Sequence, residues 1–228
     1  MSLSLPTKIA SGVVVGGTAA TAGGLYLHTG TVKPQTHLIK DLLAVKNPEK
    51  RLIDKSDDGS TAEWKGSWKS YREFYKDKKS NPFSLTSDQL KESGNSVNAP
   101  SEFRDGCKSV SLEKAVDETD ERYRAILSYC TRDTLFKDLI LESGREIISS
   151  SNGDWKESWK DYRQVNNGKQ AQKDTWQLSD WSSKKDNDNT ISDDLKTKCE
   201  SKLSGKTGGK VSDDYSNIVK WCSKSKKS

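Results

Sequence analysis

Four cysteines are the residues with the clearest chemistry. Cys107 and Cys130 stand 23 positions apart, and Cys199 and Cys222 repeat that spacing. A thiol pair kept twice at one spacing points to two disulfides, each closing a loop of about 24 residues and worth about 3 kcal/mol on the chain-entropy account. Of the three pairings that four cysteines allow, the repeated spacing selects Cys107 with Cys130 and Cys199 with Cys222. The competing reading is four buried thiols in a reducing cytoplasm.

Other chemistry is thin. His28 and His37 are the only histidines, neither stands in a zinc-ligand pattern, and no CxxC occurs. "SGKTGGK" from Ser204 invites a phosphate-loop reading, but Glu200 stands where that motif needs its first glycine, and a helix precedes it in place of a strand. "DNDNTISDD" from Asp186 resembles a calcium loop until Thr190, Ile191 and Thr197 fall where an oxygen ligand, the turn glycine and the bidentate Glu belong. No nucleophile is paired with a base. The expectation is a protein with no catalytic, cofactor-binding or metal-ligating residues, not an enzyme.

Aromatic residues supply the remaining candidate. "WKGSWKSYR", Trp64 to Arg72, returns 91 positions later as "WKESWKDYR", identical at seven of nine positions. Trp64, Trp68, Tyr71 and Tyr75 recur at i, i+4, i+7 and i+11, and Trp155, Trp159 and Tyr162 repeat the start of that series, so each set lines one face of a helix. Tryptophan beside Lys and Arg can stack bases and hold phosphates, or form a sugar platform. The helical spacing that gathers the rings sends the lysines elsewhere, however, which is the signature of a core-facing stripe.

The elements that must position these residues come in duplicate. "HLIKDLL" from His37 is echoed by "TLFKDLI" from Thr134. Phe103 and Cys107 match Leu195 and Cys199 at i, i+4, while Tyr123, Ile126, Leu127 and Cys130 match Tyr215, Ile218, Val219 and Cys222 at i, i+3, i+4, i+7. The landmarks keep one order, which duplication explains economically. The reading is mainly α: module A over residues 37–133 and module B over 134–228, each a small bundle of about four helices, joined by a turn at Cys130 to Asp133. Asp154, Ser101 and Ser212 are the expected N-caps.

Residues 1–32 read as a leader with a transmembrane helix. Ile9 to Leu27, "IASGVVVGGTAATAGGLYL", carries no charge, and its 19 residues reach about 28 Å as a helix, close to the roughly 30 Å of a bilayer core. Ala20-Thr21-Ala22 keeps a second reading open, a signal peptide cleaved after residue 22, and a buried helix is a third. Gly12, Gly16, Ala20 and Gly24 share one face, which suits an anchor-mediated homodimer, although chance gives the same spacing in so Gly/Ala-rich a segment. Lys33, Lys40 and Lys46 after the span would hold the C-terminal part inside, while the paired cysteines place it outside.

The 228 residues are 31% hydrophobic and 31% charged, with net charge +5, which implies thin cores. Seven Trp and seven Tyr argue against disorder. Lysines interleave with acids, a solvated surface more than a nucleic-acid stripe. A cytoplasm-facing basic protein that binds nucleic acid or phospholipid, using the "SKSKKS" end, is the alternative function.

The leader "KIASGVVVGGTAATAGGLYL" and the paired ends "YRAILSYC" and "YSNIVKWC" resemble the large paralogous families of uncharacterised membrane-anchored or surface proteins of haemotropic mycoplasmas. That resemblance implies a surface protein of the cell membrane with its C-terminal modules outside, meeting host surface molecules or antibodies. It carries over no activity and no site residue.

Overall fold

A computed structural model of the chain describes residues 34–54, 58–91, 97–149, 154–187, 190–208 and 214–226. The described elements lie in one compact unit, Gln35–Ser228. The leader with its span at 9–27 lies outside the described residues, and among the described residues no helix is long and apolar enough to cross a membrane.

Helices dominate, and they come in two passes. The first runs β1 (His37–Leu38), α1 (Ile39–Lys46), β2 (Lys50–Leu52), α2 (Ala62–Tyr75), α3 (Ser87–Leu90), α4 (Ser101–Ser111), β3 (Lys114–Ala115), α5 (Glu121–Tyr129) and β4 (Thr131–Asp133). The second runs α6 (Phe136–Glu142), β5 (Arg145–Ile147), α7 (Trp155–Val165), α8 (Trp181–Lys184), α9 (Asp193–Leu203), α10 (Tyr215–Cys222) and β6 (Ser223–Ser225). Each pass buries its own apolar cluster, one built on Ile39, Trp68, Phe103 and Ile126 and the other on Ile140, Trp159, Leu195 and Ile218.

Three details differ from the sequence reading. Among the described residues each half has five helices, the extra one being the single-turn α3 or α8. Short antiparallel ladders appear where helices alone were expected: β1 with β3, β2 with β4, and β5 with β6. At two or three residues they are too short for alternation to show. Thr131 to Asp133, expected as the joining turn, is therefore a strand, with Lys50 opposite Asp133 and Leu52 opposite Thr131.

The helix starts differ as well. Asp154 sits at the N-cap of α7 without a capping bond and pairs with Lys224. Ser101 is the first helical residue of α4, after Pro100 at the cap, and Ser212 lies outside the described residues. Side-chain caps come instead from Thr61, Thr86, Asp120 and Ser192, which satisfy backbone N–H groups that a helix end leaves open.

Hydrogen bonds repeat across the halves. Ile39 N–H donates to the Glu113 carbonyl at 2.9 Å, and Phe136 N–H to that of Gly205 at 3.0 Å. Ile53 N–H reaches the Cys130 carbonyl at 2.9 Å, and Ile148 N–H that of Cys222 at 3.0 Å. β1 opposes Leu38 to Lys114, and in the second half a single bridge opposes Leu135 to Lys206. Backbone partners alike at corresponding positions mean that the two halves follow one chain path.

Candidate functional site

The repeated nine-residue motif is a set of structural instructions. Its first tryptophan anchors the preceding segment: Trp64 Nε1 donates to the Asp54 carbonyl at 3.1 Å, and Trp155 Nε1 to the Ser149 carbonyl at 2.8 Å. Its second fills the core, Trp68 being 0% and Trp159 1% exposed. Its tyrosine clamps the loop that follows the helix. Tyr71 donates to Asn81 Oδ1 at 2.8 Å and accepts from Phe83 N–H at 3.3 Å, while Tyr162 donates to Asp174 Oδ2 at 2.6 Å and accepts from Trp176 N–H at 2.9 Å. Its arginine lies over its own core tryptophan, with guanidinium-to-ring distances of 5.2 Å for Arg72 on Trp68 and 5.8 Å for Arg163 on Trp159. Buried on this scale, Trp64, Trp68, Tyr71, Trp155, Trp159 and Tyr162 present no stacking platform to a ligand.

The cysteines form Cys107–Cys130 and Cys199–Cys222, with Cα atoms 5.7 and 5.4 Å apart. Each bridge ties the fourth helix of its half to the end of the fifth, beneath the ladder in which that end continues. Both sulfur pairs are buried.

The described parts of the two loops that looked like ligand sites by sequence are held by contacts within the protein. Around Gly205 to Thr207, Gly205 O accepts from Phe136 N–H at 3.0 Å and Thr207 N–H donates to Thr134 O at 2.9 Å, so the phosphate-loop lookalike closes the second half against its first helix. In the acidic run, Asp193 is paired by Lys184 at 2.8 Å and Lys196 at 3.0 Å. Among the described residues no group of three or more His, Cys, Asp and Glu could hold a metal ion.

What the sequence did not reveal is a groove of about 680 Å³ between the halves, walled by α1, β2, α4 and α6. Polar contacts define this seam. Arg51 meets Glu142 through Nε at 2.7 Å and Nη2 at 2.9 Å, the bidentate geometry that gives a guanidinium–carboxylate pair its direction. Asp133 lies between Lys50 and Lys206, at 2.7 Å from each, and their bonds, Lys206 first, hold its carboxyl down at about 2. Thr134 is buried where the chain crosses over: its N–H donates to Glu49 O at 2.8 Å and its hydroxyl to Pro48 O at 3.0 Å. Directional bonds thus fix the seam.

The chain matches no family model, no curated protein and no solved structure. The groove escaped sequence reading because its walls come from Lys40, Arg104 and Leu141, which no local spacing connects. A hint was present in the second copy of the entry helix, where Asp138 and Glu142 face arginines, while Val45 stands in place of Glu142 in the first copy.

Proposed function

We propose that this chain is a membrane-anchored surface protein without catalytic activity, held by residues 9–27 and presenting two disulfide-stapled copies of one helical module, 37–133 and 134–228, outside the cell for host interaction or antigenic display. The observation that carries the reading is the pair of buried disulfides within small cores. Such bridges persist in oxidising surroundings and are reduced in a cytoplasm, and each contributes a large share of a small module's stability.

The comparison of the two copies supports display over catalysis. Positions that agree between them, the Trp and Tyr residues, point into the cores, whereas Gly66 and its counterpart Glu157 differ and face solvent. Within this helix the shared rings are core and an exposed position differs, which suits a face presented for recognition. The resemblance to surface proteins of haemotropic mycoplasmas points the same way.

Protease shaving of intact cells tests the reading. The expected outcome is release of peptides from residues 33–228, with the segment at 9–27 left in the membrane fraction. Residues 33–228 untouched on intact cells and cut only after lysis would reject it.

A further inference from the structure

The ladder at which the described chain begins carries an exposed apolar patch. β1 sets Leu38 opposite Lys114. Ala115 is buried, so Lys114 and Val116 on either side of it stand on the outer face of the ladder, where successive side chains alternate. Val116 is 46% exposed, Leu112 at the end of α4 is 49% exposed, and Leu38 is half-buried. The acids beside them are engaged elsewhere: Glu113 with Arg122 at 2.7 Å, Asp117 with the Thr119 N–H at 2.8 Å and Glu118 with Lys46 at 3.4 Å. Exposed Lys114 is thus the charge of the patch.

The second half has different residues at the corresponding places. Leu135 opposes Lys206 as Leu38 opposes Lys114, so Ser204 and Gly208 stand where the first half has Leu112 and Val116. There the ladder meets what precedes it in the chain, since Lys206 reaches Asp133 of the first half at 2.7 Å. What precedes the first half is the segment leading from the anchor. Eight residues separate Leu27 from Gln35, and they span at most about 27 Å. An apolar face with one ammonium among its side chains suits the boundary between acyl chains and phosphates, where a lysine stem lies on apolar groups and its charge stays among the headgroups.

We infer that the folded part rests on the phospholipid bilayer through this face, with Leu38, Leu112 and Val116 at the acyl boundary and Lys114 on lipid phosphate. The short tether makes so small a contact effective, because it holds the face at high local concentration over the lipid. The inference rests on the reading of residues 9–27 as an anchor and adds a second, separate membrane contact to it.

The test uses the full chain in nanodiscs of phosphatidylcholine and phosphatidylglycerol, part of the phosphatidylcholine carrying a diazirine near the carbonyl end of its acyl chain. Labelled positions are mapped by peptide mass spectrometry. Labelling is expected on 9–27 and on the segments holding Leu38 and Leu112 to Val116, with little on those holding Phe74 and Val165, whose exposed side chains are the reference. Leu112→Ser with Val116→Ser should remove most of the ladder labelling and leave that of 9–27 unchanged, and Lys114→Glu should lower it severalfold. Label on 9–27 without the ladder, equal label on the Phe74 and Val165 segments, or ladder label that survives both variants would overturn the inference and leave the anchor standing. With 9–27 unlabelled the anchor reading itself fails, and this inference with it.

Discussion

Asn81 and Asp174 hold the same place in the two halves, each under the hydroxyl of a helix tyrosine, yet one is an amide and the other a buried acid. Burial pushes the Tyr162 hydroxyl far above the ordinary range of a phenol, and its bond to Asp174 adds to this, so that hydroxyl stays a donor. Asp174 Oδ2 accepts from Tyr162 and from Leu178 N–H at 2.9 Å, while Oδ1 is buried with no hydrogen-bond partner among the described residues. In the first half Asn81 Nδ2 fills the matching role by donating to Leu85 O at 2.7 Å.

Asp174→Asn should therefore keep or raise stability, since the amide can copy Asn81. The converse, Asn81→Asp, loses a donor and should cost about 1–3 kcal/mol. Urea unfolding of both variants checks this, and the account fails here if Asp174→Asn proves the more damaging.

The staples make a second prediction. Replacing Cys107 and Cys130 together by Ser, or Cys199 and Cys222, should cost about 3 kcal/mol in each case, because each bridge closes a similar loop in the unfolded chain. Reductant should lower the wild-type unfolding midpoint and leave the quadruple variant unmoved.

These bridges were legible in the sequence because equal cysteine spacing and a helical aromatic period are local signals that duplication writes twice. The ladders were not, since Lys50 to Leu52 and Arg145 to Ile147 are polar three-residue segments whose pairing is fixed by tertiary contact. Trp176, on the turn after α7, and Trp181, at the start of the single-turn α8, are both buried and were missed as core because they lie away from the helical period of α7. The groove was missed for a related reason: its walls come from segments far apart in the chain, α1, β2 and α4 of the first half and α6 of the second.

The Trp motif can be tested position by position. Trp68→Ala and Trp159→Ala should each cost about 3–5 kcal/mol, as loss of a large buried ring does. Gly66, mid-helix and with open space where a Cβ would stand, should instead gain about 0.5–1 kcal/mol as Gly66→Ala. Thermal unfolding read by circular dichroism separates the two effects, and mild tryptophan variants would contradict the core assignment.

At the seam, Arg51→Glu should loosen the contact between the halves, and adding Glu142→Arg should restore part of it. Asp133 gives the pH dependence. Its folded value of about 2 lies below the ordinary 3.8, so its contribution is present above about pH 4 and is lost as the pH falls through 4 toward 2. The protection of the Thr134 amide, which donates across the seam, measured against its intrinsic exchange rate at each pH, should fall over that window and be fully kept at neutral pH.

The central claim is that two disulfide-stapled modules stand outside the membrane. It is met most directly by mass spectrometry of the protein from its native cells, with free thiols blocked at lysis. The account predicts Cys107–Cys130 and Cys199–Cys222 linked peptides and no blocked thiol. Four blocked thiols would contradict it and place the modules in a reducing compartment.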